Sequence, residues 1–360
     1  MRRMKIFPGM LPILLAACLP AGAQLSPSQP DPLARIREAA QGNTQACSAT
    51  GESLCEQVAP KIIANAQGDS PLADNLRQLV QAIGERKPSA QAQAVSWATA
   101  AFQAAGVDAH TEKDAVPSTA QVQEIVVAEI RGREKPDEWV LLGAHLDAQS
   151  LDNGCDAAVV IEAARDISRT AIRPRRSIRF VLFTGDERST AGSWAYVHAH
   201  RAELDRARAA ILLGVGCGRV MGFTLSGRHD IESGAREAMK PIEAMGANHY
   251  AFSAQLGTDN FDFVLEGLPT LVATREDAKP PSDSHATFTR AENFDLAELK
   301  RTTAILGVTV FGVSERAEPV GARQSRAEIE ALLKSSGLEE LMKTAGVWQA
   351  WESGERGRLP

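Results

Sequence analysis

The spacing of apolar residues changes once along the chain, from a helical period to strand-like runs. Upstream of Val107, the segments PLADNLRQLVQAIG and AQAQAVSWATAAFQAAG carry apolar residues at helical spacing and end at a glycine. After that point, VDAHTEKDA, VQEIVVAEIRG and EWVLLGAHLD are strand-like, and the last is almost wholly apolar up to His145. The pattern therefore predicts two helices followed by the opening strands of a sheet.

From His145 onward, helical and strand-like segments alternate. The helical segments AAVVIEAARDI, GSWAYVHAHRAEL and IESGAREAMKPIEAMG separate the strand-like segments SIRFVLFTG, RAAILLGVG, GFTLSG and LPTLVATR, and DLAELKRTTAILGVTVFGVSE is a closing helix. This alternation predicts one doubly wound α/β domain with a mostly parallel sheet flanked by helices. We place that domain at residues 69–315, after a polar extension at 24–68 and before a charged helical tail at 316–360 to which we assign no chemistry.

The N-terminus has the features of an export signal. Basic residues precede a short apolar stretch, and an Ala-Gly-Ala run at 21–23 forms a signal-peptidase site, which gives a signal peptide over 1–23. Equally well, Leu-Ala-Ala-Cys fits a lipobox with Cys18 as the lipidated first residue. Both alternatives predict an exported protein, periplasmic or secreted. The apolar stretch is too short to span a bilayer, and no later stretch approaches the roughly 20 apolar residues of a transmembrane helix.

Composition narrows the range of partners. The chain has 360 residues, 44% of them apolar, and a net charge of −6 with basic and acidic residues intermixed. Because no basic stripe with interleaved aromatic residues is present, nucleic acid is not an expected partner. In an exported protein, Cys47 and Cys55 can close a small disulfide loop, and the alternative is two unrelated thiols.

Candidate chemistry lies where the predicted strands end. His145-Leu-Asp147 follows VLLGA, Asp152-Asn-Gly begins the next helix, and Asp186-Glu187 follows SIRFVLFTG. A hydrolytic metal site needs imidazole and carboxylate ligands and a nearby base. His145 can bind metal with Asp147 orienting its ring, and of the acid pair one carboxylate can bind metal while the other moves the proton. Each motif alone is ordinary surface or capping chemistry, and only their order and spacing are specific.

These motifs, with VVAEIRG, RSIRFVLFTGDE, GTDN and GLPTLVAT, resemble metallopeptidase family 28 over about residues 75–315. This family comprises the co-catalytic zinc aminopeptidases and their carboxypeptidase Q-like relatives. The resemblance implies a zinc-exopeptidase fold and removal of terminal residues from peptides by metal-activated water. It makes His145 a first-metal ligand, Asp152 the bridging carboxylate and Glu187 a second-metal ligand. Asp186 takes the place of the base, which is normally a glutamate, and the Asp152–Asn153 bond is expected to be cis.

The same resemblance implies that the metal site is incomplete. Gly214 stands at the place of an aspartate ligand, and Asp283 at that of the final histidine, with His285 two residues later. A site of Asp152, Glu187 and either Asp283 or His285 still has three ligands, whereas His145 and Asp152 alone fall short of three. One zinc ion is therefore expected rather than two, and none is the alternative.

Two further pairs belong near the implied site. Thr258 and Asp259 of GTDN cap the following helix or face the substrate in its pocket, and we favour capping. Cys155 and Cys217 lie three residues after Asp152 and Gly214. They form a disulfide, supply a thiolate to a remnant metal, or are two small buried thiols.

Three functions remain open at this point. The first is an active metallo-exopeptidase acting on peptides. The second is a pseudoenzyme that binds peptides through the retained cleft. The third is a mono-zinc acyl-transfer or amide-processing enzyme, because glutaminyl cyclases share this scaffold.

Overall fold

A mixed sheet of eight strands lies at the centre of the fold, in the order β1-β2-β4-β3-β5-β8-β6-β7. The computed structural model describes residues 52–84, 89–147, 151–185, 189–275 and 294–359. The strands are β1 Asp108–Ala115, β2 Val122–Ile130, β3 Lys135–His145, β4 Arg176–Phe183, β5 Ala207–Leu213, β6 Val220–Thr224, β7 His249–Ala251 and β8 Thr270–Arg275.

Helices pack against both faces of this sheet. They are α1 Glu52–Gln67, α2 Leu72–Gly84, α3 Ala90–Ala104, α4 Leu151–Ser168, α5 Ala191–Ala199, α6 Glu232–Glu243, α7 Asn260–Leu265, α8 Leu296–Glu315, α9 Arg326–Ser335, α10 Leu338–Thr344 and α11 Trp348–Glu352. The doubly wound α/β fold class predicted from the alternating segments is thereby confirmed. None of the helices in the described ranges is long and apolar enough to cross a membrane.

The strands that carry the candidate chemistry run parallel to one another. β3 pairs in parallel with β4 and with β5, and β5 pairs in parallel with β8. Among the described strands, the antiparallel pairs lie toward the two margins, where β2 meets β1 and β4, and β6 meets β8. Since parallel strands end at the same edge of a sheet, the residues that follow β3, β4, β5 and β8 converge there.

Alternation along the strands separates two apolar cores. In β3, Val140 and Leu142 enter the core that contains α1 to α4, α6 and α8, whereas Trp139 and Leu141 enter the core beneath α5. Successive side chains of a strand point to opposite faces, so an almost wholly apolar strand is one covered on both sides. This explains why EWVLLGAH carries no polar residue between Trp139 and His145.

Both flanks of the expected 69–315 domain contribute to the core. In α1, Val58 and Ile62 are fully buried, and this helix packs against α8. The charged tail folds into α9 to α11, whose apolar residues join Phe261 and Leu265 of α7 in a third cluster with Trp351. The tail is therefore packed against the element that follows the GTDN motif.

One expectation about the backbone is wrong. Helix α4 begins at Leu151, so the Asp152–Asn153 peptide lies inside a helix, and the described residues contain no cis peptide bond. A helical turn requires trans peptides because its hydrogen bonds depend on their geometry.

Candidate active site

A cavity of about 300 Å³ opens at the edge where β3, β5 and β8 end. This is where open α/β sheets bind ligands. The residues that line it are His145, Asp156, Leu212, Leu213, Gly214, Val215, Thr224, Gln255, Thr258, Asp259, Asn260, Val272, Ala273, Thr274 and Arg275. Polar groups from five separate stretches of the chain, namely β3, α4, β6, residues 255–260 and β8, therefore meet at one site.

His145, the last residue of β3, is held on both sides of its ring. Its side chain is 4% exposed, Nδ1 lies 2.9 Å from Asp259 Oδ2, and Nε2 lies 3.1 Å from the carbonyl oxygen of Gly185. Gly185 adopts a φ of 101°, and a Cβ there would lie 2.7 Å from Gln123 Oε1, so this position requires glycine. The turn after β4 thereby presents a backbone carbonyl to the imidazole.

The side chain of Asp259 contacts the ring of His145 and does not cap α7. It occupies the N-cap position, but its side chain makes no capping hydrogen bond. The favoured capping interpretation is therefore wrong for Asp259. A buried imidazole without a partner costs more than an uncapped short helix, which explains the outcome. Thr258 Oγ1 donates to Asn260 Oδ1 at the same turn, and Thr258 and Asp259 both line the cavity.

The carboxylate found beside the His145 ring is thus that of Asp259, 114 residues away in sequence. The HxD motif assigns this orienting role to Asp147, which is half-buried just after β3. The short spacing in the sequence indicated Asp147, whereas the fold places the carboxylate of Asp259 beside the ring. Asp147 stays a predicted catalytic residue.

Most of the predicted metal ligands lie outside the described residues. Asp186 and Glu187 follow directly after Gly185, and Asp283 and His285 belong to the segment 276–293. The backbone of Asp152 lies in the opening turn of α4, but its side chain is not among those described. Cys18 and Cys47 also lie outside the described residues, as does the side chain of Cys55. Their roles stay predictions.

Gly214 follows β5 at the wall of the cavity. A Cβ built there would meet no described residue within 4 Å, so none of the described side chains fills the space where the family resemblance predicts an aspartate. As far as the described residues go, the cavity is open at Gly214.

The described part of the first metal position does not fit a metal ion. Both ring nitrogens of His145 face oxygen atoms of the protein, Asp259 Oδ2 and the Gly185 carbonyl oxygen. A histidine that binds zinc instead directs one of its ring nitrogens at the ion. With no donor at Gly214 either, we derive no catalytic step through a metal at this position.

Asp156 is a site residue that the sequence reasoning missed. It lies one turn after Asp152 on α4, is 2% exposed, and accepts a hydrogen bond from Gly216 N at 3.1 Å. The available signal was the four-residue spacing of the two aspartates, which places both on one helix face. Next to it, Cys155 and Cys217 form a disulfide with a Cα–Cα distance of 5.3 Å.

Among the described residues, a group with the spacing of metal ligands lies elsewhere. Carboxylate oxygens of Glu112 and Asp114 and a ring nitrogen of His200 lie within 4.8 Å of one another. His200 Nε2 is 2.8 Å from Glu112 Oε2, and Nδ1 contacts Glu203. Burial opposes the charge on His200, but its hydrogen bonds to both glutamates raise its pKa overall. Burial and the charge of Glu112 raise the pKa of Asp114 to about 6. We interpret the group as an ion-pair network.

Comparison with known proteins matches the central part of the chain to a peptidase family. The sequence model "Peptidase family M28" matches residues 125–310, just over half of the chain. Carboxypeptidase Q of Rattus norvegicus is 28% identical over 148 residues, which cover 40% of this chain and 31% of the rat protein. The match thus spans about a third of that relative.

Solved structures agree with this assignment. A peptidase M28 precursor from Shewanella amazonensis SB2B is similar with a TM-score of 0.51 and 26% identity, over 57% of this chain and 47% of that one. An aminopeptidase from Aneurinibacillus sp. strain AM-1 has a TM-score of 0.56 and 12% identity, over 75% and 98% of the two chains, and shows the fold alone. From the strand-end motifs, the parallel sheet and the match over 125–310, the chain belongs to peptidase family M28.

Proposed function

We propose that the chain is an exopeptidase-type hydrolase that removes terminal residues from peptides. The observation that carries the proposal is the cavity of about 300 Å³ at the ends of β3, β5 and β8, with His145 and Asp259 in its wall. It lies at the edge where this class of sheet binds ligands, in a chain of a peptidase family. The fixed polar groups in its wall can orient a peptide terminus.

The donor set supports one zinc ion rather than two. Asp152, Glu187 and either Asp283 or His285 offer the carboxylate and imidazole ligands that zinc takes in groups of three at catalytic sites. They belong to the start of α4 and to the segments after β4 and β8, which end at one edge of the sheet. A zinc ion bound there supplies Lewis-acid chemistry that polarises a carbonyl and activates water.

The chain's own residues divide the remaining tasks. Asp186 moves the proton between water and the leaving amine, as a carboxylate base can. His145 is fixed by Asp259 and the Gly185 carbonyl, so its ring forms a rigid part of the wall. The Cys155–Cys217 disulfide supports an exported, periplasmic or secreted protein, because such bonds persist in oxidising compartments.

A second candidate function is peptide binding without turnover. It is favoured by two observations at the first metal position, namely the engagement of both His145 nitrogens and the open space beside Gly214. In this alternative the cavity retains its shape and polarity but holds no metal.

Metal analysis and turnover separate the two candidates. We expect protein purified without chelator to carry about one zinc ion per chain. It should hydrolyse aminoacyl-arylamide or C-terminally blocked peptide substrates, and Asp186→Asn should slow turnover by about 100-fold or more. Asp137→Asn, an exposed carboxylate at the start of β3, is the matched control and should behave as wild type. Peptide binding by zinc-free, inactive protein would favour the second candidate. Turnover untouched by Asp186→Asn would refute the assigned base.

A further inference from the structure

A buried arginine from the C-terminal segment joins α7, which borders the candidate site, to the start of α5. Arg356 is 4% exposed, and its Nε lies 2.7 Å and its Nη2 3.0 Å from the two oxygens of Asp262. Nη2 also donates to the hydroxyl of Thr190. The hydroxyls of Thr190 and Ser193 in turn donate to Asp262 Oδ2 at 3.0 and 2.8 Å. One guanidinium thus closes a network among three segments.

Of the two elements joined by this network, α7 contributes Asn260 to the wall of the cavity. Thr190 directly precedes α5, in the connection that follows β4. Asp262 lies in α7, three residues after Asp259, the partner of His145. Fixing α7 therefore fixes the carboxylate that holds the imidazole.

We propose that Arg356 is a positioning residue, which clamps α7 to the start of α5 and thereby keeps Asp259 against His145. The segment that supplies it lies beyond residue 310, where the match to the family ends. Only the expected effect on turnover rests on the proposed exopeptidase function; the clamp itself does not.

Thr190, which belongs to this network, has an unusual backbone conformation. Thr190 has φ 50° and ψ 38°, in the left-handed region that β-branched residues rarely adopt. Such a conformation persists when the surroundings over-determine it. Here the hydroxyl of Thr190 is held between the Arg356 guanidinium and the Asp262 carboxylate.

The surroundings of Arg356 favour arginine over lysine. Its Cζ lies 4.7 Å from the centre of the Trp194 ring on α5 and 5.8 Å from that of Phe261 on α7. A planar guanidinium can lie over these rings and still direct separate N–H groups to Asp262 and Thr190. A lysine ammonium can pair with Asp262, but it cannot reproduce this geometry.

Amide hydrogen exchange tests the clamp without requiring turnover. In Arg356→Lys, we expect exchange at least 10-fold faster at the start of α5 and in α7, with α8 unchanged. Arg356→Met should do the same more strongly. The matched control is Arg323→Met, because Arg323 is another arginine of the same segment, paired with buried Glu266 just after α7 and not with Thr190. It should leave the start of α5 at the wild-type rate.

Three outcomes would overturn the proposal. They are wild-type exchange in Arg356→Lys, equal acceleration of α8, and the same acceleration of α5 in Arg323→Met. If the wild type is an active peptidase, Arg356→Lys should also lower kcat/KM by 10-fold or more, whereas Arg323→Met should not. An inactive wild type would contradict the proposed function while the exchange result still decides the clamp.

Discussion

Asp166 makes the stability of the protein depend on pH in the neutral range. This residue of α4 is completely buried, and burial is the main reason that its pKa rises to about 8. The charge of Glu162 adds to the rise, while Arg165, Arg169 and Lys300 oppose it. Its contact with the cation of Arg165 is weak, with Arg165 Nη1 3.5 Å from Asp166 Oδ1. The folded protein therefore retains a proton on Asp166 that the unfolded chain releases.

The sign and size of the effect follow from this difference. Between the ordinary carboxyl pKa, 3.8, and about 8, the native state binds more protons than the unfolded state, so stability falls as pH rises. Each pH unit within that window costs up to about 1.4 kcal/mol. At pH 7 the upper bound is about 4 kcal/mol, and relaxation of neighbouring charges reduces it, so we expect at least about 1 kcal/mol.

Asp166→Asn removes the titration while nearly preserving shape. We expect urea unfolding at pH 5, 7 and 8.5 to show that the unfolding free energy of the variant rises relative to that of the wild type as pH increases. Between pH 5 and pH 8.5 this difference should change by about 1–4 kcal/mol. The difference between the two proteins largely cancels the titration of other groups. Asp137→Asn, which changes an exposed carboxylate, should follow the wild type throughout. A constant difference between Asp166→Asn and wild type across this pH range would refute the reasoning.

Three further substitutions test the site itself. Gly214→Asp should add about one zinc ion per chain by elemental analysis, because no described residue fills the space there and a carboxylate can draw His145 into coordination. Unchanged zinc content would contradict this. Asp259→Ala leaves the buried His145 Nδ1 without its carboxylate and should lower the urea unfolding free energy by about 1–3 kcal/mol, whereas wild-type stability would show that the pair contributes nothing. Replacing Cys155 and Cys217 by serine opens a link between residues 62 apart and should cost about 2–4 kcal/mol in the same assay; no loss would mean that the disulfide is not formed in solution.

The sequence pattern predicts best the strands that are buried on both faces of the sheet. EWVLLGAH and SIRFVLF are apolar on both faces, and they form the parallel pair β3 and β4 at the centre of the sheet. The end of a strand differs from its predicted position where the backbone takes a conformation that a strand does not allow. The strand predicted over GFTLSG ends at Thr224, because Ser226 and Gly227 take positive φ values that a strand does not accommodate.

Contacts between residues distant in sequence account for what the pattern missed. GTDN reads as a helix cap because the cap is a local signal, whereas the true partner of Asp259 comes from a strand 114 residues earlier. Arg356 gives no signal at all in a charged tail. Its significance depends on the burial of Asp262, which the packing of α7 against α5, β5 and β8 accompanies.

The docking of the tail on α7 determines where the chain can be shortened. A protein that ended at Glu315 would retain the whole family-matched region, 125–310, yet it would present Phe261 and Leu265 to water. It would also lose the hydrogen bond from Arg358 N to the Leu265 carbonyl oxygen and leave the Asp262 carboxylate without its cation. Freshly exposed apolar surface beside an uncompensated charge leads to aggregation. The smallest fragment that can be produced as a folded protein therefore extends well past the region by which its family is recognised, to Arg358 at least.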